Sequence, residues 1–391
     1  MKNLLRGYDY TLLITPIVLA IFGTIMIYSA SMVATVAEGL ESTYYLKRQL
    51  IWLLLGFVSF GLAAVFPYKA YRKLVKPMLL VGLVLLVAVL VFGDEAYNAV
   101  RSISFAGFRI QPSEFIKIVL IIYIASVYTK KQSYISNFAK GVFPPLVMVG
   151  FYIGLIILQP DLGTSVIILA IVAIVVSSAG VRGKHIFMLG SIGAAFIAIA
   201  IPILNSETRM SRFTGAYQPF LDPDDTGHHL IQSYLAIGGG GVSGEGLGLS
   251  IQKLGYLWGA HTDFIMAVIA EELGMLGVII VIGLLGLIVL RGLYIAYKCE
   301  DQFGTLIAIG ISSMVGIQAF VNLGAISGLL PITGVTLPFI SYGGSSLLVL
   351  MISMGILNNI ARKVKLQERT TTTMTQKPTN QFRNRSGQVN G

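Results

Sequence analysis

The residues of this chain that could do chemistry are few, and they stand where apolar runs begin or end. His261-Thr262-Asp263-Phe264 lies where a long polar stretch gives way to an apolar one, with Glu271-Glu272-Leu273-Gly274 two turns further on. An acid at the edge of hydrocarbon costs free energy, so a carboxylate kept there is a candidate proton acceptor. Glu271 falls about 80° round a helix from Asp263 and about 12 Å deeper, and Glu272 faces nearly opposite, so structural pairing is the reading for both. Glu114 and Lys117 are one helical turn apart inside a second apolar run. They form either a structural ion pair or a cation held ready for an anionic substrate. Arg101 and Arg109 flank the segment just before that run, and Lys47-Arg48-Gln49 opens another. Cations gathered at such mouths suit phosphate recognition. Asp161 follows Pro160 at the start of a further run, where capping a helix explains it at least as well as catalysis.

The elements that must position these groups are membrane spans. Of the 391 residues 55% are hydrophobic and 12% charged, and the mean hydropathy is +0.79. A soluble globular chain carries about 25% charged residues, so this is an all-α polytopic membrane protein by composition. Apolar runs able to cross a core of about 30 Å predict ten transmembrane helices, near 10–32, 48–66, 77–93, 112–128, 142–158, 162–180, 185–204, 264–290, 304–326 and 339–360. An even number puts both termini on one side. Most Lys and Arg, from Lys2 and Arg6 through Lys69, Arg72, Lys130, Arg182 and Arg291 to the basic C-terminal tail, then share a face, which the positive-inside rule makes cytoplasmic. The net charge of +10 is thereby a topology signal, and no nucleic acid is needed to explain it. The first span reads as a retained signal-anchor. Cys299 is the only cysteine, which excludes an intrachain disulfide and a thiolate metal cage.

Residues 205–262 form one long extracellular loop between helices 7 and 8, far beyond ordinary connections and so expected to be functional. It holds the acidic turn Leu221–Gly227, a patterned stretch His228–Ile237 and the glycine run Gly238–Gly248, which lacks Walker spacing and reads as a flexible hinge. His228, His229 and His261 have no metal-ligand spacing. Gln111-Pro112, Gln159-Pro160-Asp161, Thr262-Asp263 and Leu337-Pro338 each open a helix at the same mouth, where amide donors favour an anion. The membrane domain is expected over 1–362 and a disordered cytoplasmic tail over 363–391.

Gln111-Pro112-Ser113-Glu114-Phe115 to Lys117, Gln159-Pro160-Asp161-Leu162-Gly163-Thr164, His261-Thr262-Asp263-Phe264 through Gly274, and Leu330-Pro331 to Pro338-Phe339-Ile340-Ser341-Tyr342-Gly343-Gly344-Ser345-Ser346 resemble the hallmark segments of the SEDS family, the FtsW, RodA and SpoVE proteins. The likeness runs in order to about residue 362. Tyr28-Ser29-Ala30-Ser31 and Pro338-Phe339-Ile340-Ser341 look closer to FtsW than to RodA. The resemblance implies a peptidoglycan glycosyltransferase that polymerises lipid II on the outer face of the bacterial cytoplasmic membrane. It also implies a class B penicillin-binding protein as partner transpeptidase, among divisome or elongasome proteins. Asp263 matches the acid regarded as catalytic in the family. Arg48, Arg101, Arg109, Glu114, Lys117 and Asp161 match polar positions of its central cavity, and His261 and Thr262 stand beside the base. A divalent cation, Mg or Mn, is an open addition to the cations that would meet the pyrophosphate. The rival classes are a lipid II flippase or proton-coupled transporter and a scaffold. Within the family, RodA-like elongation and SpoVE-like sporulation stand beside division.

Overall fold

A computed structural model of the chain describes residues 7–375 other than 97–98, 106–107, 136, 186, 188–190, 192–214 and 224–225. Its long helices are α1 (Tyr10–Ala37), α2 (Tyr44–Val65), α3 (Tyr71–Phe92), α4 (Pro112–Lys130), α5 (Phe143–Leu158), α6 (Leu162–Ser178), α7 (His228–Gly239), α8 (Ile265–Lys298), α9 (Gln302–Ile326) and α10 (Gly344–Thr375). Among the described residues eight helical segments are long and apolar enough to cross a membrane, and α6 is a shorter apolar helix. The chain is a multi-pass membrane protein. The span expected over 185–204 lies almost wholly outside the described residues.

α10 packs along α2 and touches α1, α4, α8 and α9. α4 and α9 are covered on most sides, which explains how α4 keeps Glu114 and Lys117 out of lipid. α3 and the later part of α8 instead expose Leu80, Val81, Val84, Ile279 and Ile280, as a face toward acyl chains does. At one end of the bundle Asp9 caps α1, accepting from the backbone N–H groups of Thr11 and Leu12 at 3.1 and 3.3 Å. Arg291 grips the same carboxylate through Nε and Nη2 at 3.0 and 2.7 Å, and Lys365 lies 3.5 Å away. Burial would raise this carboxyl's pKa, but the Arg291 hydrogen bonds and the nearby cations hold it below the ordinary value.

The all-α expectation gains one small addition, and two others need correction. The all-α reading missed a small antiparallel sheet between α3 and α4, with β1 (Asp94–Ala96) paired to β2 (Ala99–Phe105) and β2 to β3 (Phe108–Ile110). Ile103 and Phe105 alternate with Ser102 and Ser104 there, a strand pattern too short to compete with the helices around it. The last transmembrane helix opens at Gly344 rather than at 339. Phe339 takes a left-handed φ of 66°, and the Ser341 hydroxyl accepts the Leu337 N–H at 2.8 Å, so residues 337–343 form a compact turn. The glycine run is no free hinge. Its residues bond to α8 where that helix breaks at Gly274 (φ 65°), with Glu245 and Gly246 donating to the Glu271 and Glu272 carbonyls at 2.9 and 3.0 Å. Gly244 is required there, because a Cβ would collide with the Glu272 carbonyl. α10 itself continues to Thr375.

Candidate active site

The irregular segment 327–343, between α9 and α10, organises the end of the bundle opposite Asp9. Non-helical backbone at membrane depth survives only where protein covers it or where it lines a cavity. Leu337, Phe339 and Ile340 are buried, and the Ile340 backbone lies against α1 at Gly23, where a Cβ would come within 2.6 Å of the Ile340 Cα. Two amides one turn apart on α9 hold the rest of the segment. Gln318 Nε2 donates to the Thr336 carbonyl at 3.2 Å and to the Ser346 hydroxyl at 3.3 Å. Asn322 Nδ2 donates to the carbonyls of Val335 and Asp263 at 2.7 and 2.8 Å.

Asp263 stands in the turn that precedes α8. The Gly259 carbonyl accepts from the N–H groups of Thr262 and Phe264 at 2.9 and 3.2 Å, which closes the turn. Asn322 then ties its backbone to segment 327–343. The side chain is half-buried, and its Oδ2 lies 3.6 Å from where a Cβ on Gly334 would sit, while Arg101 Nη1 lies 3.4 Å from the same point. Carboxylate and guanidinium thus flank one backbone position that has no side chain. β2 brings Arg101 there, which explains why the missed sheet matters to the site.

His261 is held beside this pair. Its carbonyl accepts the Tyr342 N–H at 2.9 Å, and its ring stacks 4.4 Å from Tyr45 and 5.8 Å from Tyr342. Burial lowers its pKa to about 4, so the imidazole is neutral at pH 7. It is a plate that shapes the mouth and not a cation. Arg48 supplies charge instead, stacking over Tyr44 at 4.4 Å and hydrogen-bonding the Tyr342 hydroxyl. Burial raises the Tyr342 pKa, while Arg48 and the nearby Arg109 oppose that shift. Arg109 sits on β3, and its carbonyl accepts from Ser345 at 3.4 Å. Three arginines from α2, β2 and β3 therefore border the mouth that holds Asp263.

The other expected residues divide. Lys117 Nζ meets Glu114 at 2.8 to 2.9 Å and Gln318 Oε1 at 3.1 Å, with 2% of the lysine side chain exposed. The pair is closed in this structure, and Gln318 joins it to the segment that Asn322 also grips. Asp161 caps α6 through the Thr164 N–H at 3.2 Å and accepts from Gln111 Nε2 and Ser113 Oγ at 3.0 and 3.2 Å. It fastens α4 to α6. Thr262 spends its hydroxyl on the Gly259 carbonyl at 3.2 Å. Glu271 and Glu272 turn to a separate buried cluster: Glu272 pairs with Lys253 at 2.6 Å, and Glu271 accepts from Ser250.

Gln318, Asn322, Tyr45, Tyr342 and Lys253 escaped the sequence reading. Two amides spaced i, i+4 inside an apolar span were a readable signal for the first two, since each must find partners within protein. Among the described residues no three His, Cys, Asp or Glu side chains converge as a metal cage, and Asp263 has an arginine for a neighbour. The described residues around Asp263 do not make a built divalent-cation site.

The cell cycle protein model of FtsW, RodA and SpoVE matches residues 10–366. A Bacillus subtilis protein named "Probable peptidoglycan glycosyltransferase FtsW" is 50% identical over 378 residues, covering 94% of both chains. A chain from a peptidoglycan synthase complex that coordinates polymerization and crosslinking superposes with a TM-score of 0.76 at 27% identity, covering 92% of this chain and 99% of its own. The Thermus thermophilus rod shape determining protein RodA gives a TM-score of 0.68 at 26% identity, with 92% and 98% covered.

Proposed function

Because this chain belongs to the FtsW, RodA and SpoVE family of cell cycle proteins, and is FtsW-like within it, we propose that its peptidoglycan glycosyltransferase reaction is driven by Asp263 as general base. The observation that carries this assignment is the placement of Asp263: a half-buried carboxylate on a backbone held by Asn322 and flanked by Arg101 in a mouth bordered by Arg48 and Arg109. The substrate is lipid II, a disaccharide peptide on undecaprenyl pyrophosphate, serving as donor and acceptor. Asp263 takes the proton from the 4-hydroxyl of the acceptor's N-acetylglucosamine. The oxygen then forms its bond to the donor's anomeric carbon as the bond from that carbon to the pyrophosphate oxygen breaks, and undecaprenyl pyrophosphate leaves with the electron pair. One carboxylate suffices, because the leaving group is already a stable anion, whereas glycosidases need a second acid for a poorer one. Arg101, Arg109 and Arg48 meet the developing negative charge. Lys117, paired with Glu114, adds its field from behind Gln318.

The bundle has ten spans with both termini cytoplasmic. Arg291, Lys365 and Arg362 gather at the Asp9 end, and that bias supports placing Asp9 inside and Asp263 outside. The membrane domain covers 1–362, the loop 205–262 lies on the outer face, and the chain after 362 lies in the cytoplasm. A class B penicillin-binding protein crosslinks the strands, and division is the setting.

A lipid II transporter is the second reading, since buried charges also suit a carrier. Alternating access wants polar gates on both sides of one pathway, yet Arg48, Arg101, Arg109 and Asp263 gather at one end, and the Asp9 carboxylate at the other is taken up by Arg291 and Lys365. Purified protein incubated with lipid II and resolved on a gel decides between them. Glycan ladders support the polymerase, whereas transfer of lipid II across vesicles without ladders would support the carrier.

A further inference from the structure

The segment that carries the chain from α7 to the Asp263 turn is bonded to the bundle at a depth that can be measured along α1. Besides the bonds from Glu245 and Gly246, Met275 N–H donates to the Gly241 carbonyl at 3.0 Å. Lys253 Nζ reaches Glu272 Oε1 at 2.6 Å and Ser29 Oγ at 2.9 Å, with 1% and 0% of the two charged side chains exposed. Ile251 N–H donates to Glu271 Oε1 at 2.8 Å. At the other end of the same two helices, Asp9 before α1 binds Arg291 on α8. From its break at Gly274 to Arg291 α8 runs about 25 Å, and residues 9 to 29 of α1 span about 30 Å, at about 1.5 Å per residue. The α1 distance is the thickness of a hydrocarbon core, about 30 Å. The Asp9–Arg291 and Glu272–Lys253–Ser29 clusters therefore mark the two water–hydrocarbon boundaries.

At that second boundary the strap turns Val242, Leu247, Leu249, Ile251 and Leu254 outward, each more than half exposed, followed by exposed Tyr256 and Trp258. Aliphatic side chains next to Tyr and Trp at this level match a segment seated in the membrane interface. We propose that residues 241–258 are an interfacial anchor whose aliphatic side chains enter the acyl-chain region of the outer leaflet, with Tyr256 and Trp258 at headgroup level. Trp258 is five residues from Asp263, so the anchor sets the height of the carboxylate over the bilayer. This last consequence rests on Asp263 being the base; the insertion itself does not.

The test reads depth and not activity. Full-length protein with Cys299→Ser takes single nitroxide labels at Leu249→Cys, Ile251→Cys and, as a water-exposed control, Glu41→Cys, in vesicles of phosphatidylglycerol and phosphatidylcholine. The ratio of collisions with oxygen, which partitions into lipid, to those with a water-soluble nickel chelate is expected to be several-fold higher at 249 and 251 than at 41. Equal ratios would put the strap in water, and a joint fall in both collision rates would mean that protein covers it; either overturns the anchor. Should the labelled variants fail to fold, Trp258 fluorescence in a Trp52→Phe protein serves instead. Lipids brominated near the headgroup end of the acyl chain should quench it more than lipids brominated deep in the chain, and absence of quenching contradicts the proposal. Glycan ladders enter neither reading, so a failed anchor leaves the base assignment standing, and a failed base leaves the anchor standing.

Discussion

Asn322 should be worth more to the rate than to the fold. It gives both amide hydrogens to backbone carbonyls, Asp263 at 2.8 Å and Val335 at 2.7 Å, while its own oxygen finds no partner among the described residues. Asn322→Ala deletes both bonds. At about 0.5–1.5 kcal/mol for each bond, the loss of stability is about 1–3 kcal/mol, which a bundle of this size survives. The larger effect falls on Asp263, whose backbone is freed from segment 327–343 and from the Arg101 side of the mouth. A displacement of about 1 Å at a reacting group costs about 100-fold, equivalent to about 2.7 kcal/mol of barrier. The assay is steady-state polymerisation of labelled lipid II by purified variant, with a gel-filtration profile to confirm folding. The expected result is a kcat lowered about 10- to 100-fold with KM changed less than about threefold. Asn322→Asp adds a distinct readout. A second carboxyl facing Asp263 raises its pKa, so the acid limb of the kcat profile moves to higher pH. A well-folded Asn322→Ala protein with kcat within about threefold of the parent would refute the reasoning.

Lys117→Met leaves Glu114 buried without its cation and should cost about 3–5 kcal/mol of stability, most of it recovered in the double variant with Glu114→Leu, as thermal melts in detergent would register. Asp9 makes the fold acid-sensitive at its own end of the bundle. Its folded pKa lies below its unfolded one, so its contribution is complete above about pH 4 and is lost as pH falls through the folded value. Asp9→Asn should flatten that acid limb in a melting series, at the expense of stability at pH 7. Gly244→Ala should lower the folded yield sharply, because its Cβ would strike the Glu272 carbonyl at a φ of 80°, whereas Gly238→Ala in α7 meets nothing within 4 Å and should be tolerated; expression with gel filtration separates the two.

The helices were legible because each needs only its own apolar run, and Gln111-Pro112 and Asp161 announced the starts of α4 and α6 through local capping chemistry. What stayed hidden depends on contacts between distant segments. β2 and β3 form because Arg101–Phe105 and Phe108–Ile110 are held between α3 and α4, and no period in so short a stretch says so. The turn at 337–343 follows from the Ser341 hydroxyl and the seat against Gly23, and so Pro338, a plausible helix opener, opens none. Glu271 and Glu272 read as structural acids, and the structure gives them Ser250 and Lys253. Lys253 carries no local signal, because a buried ion pair made across 19 residues leaves none in the sequence around it. Asp263 was visible as an acid in an expensive place. Its neighbours Arg101 and Asn322 come from elements far along the chain, and only the fold could bring them to it.

The central claim rests on the carboxylate of Asp263. Asp263→Asn preserves volume and the backbone bond from Asn322 while removing the base, and polymerisation of purified lipid II by the folded variant measures its role directly. Removal of a general base lowers rate by about 100- to 10,000-fold, so the account predicts loss of glycan ladders with binding of lipid II retained. Ladders formed at the parental rate by a properly folded Asp263→Asn protein would contradict it.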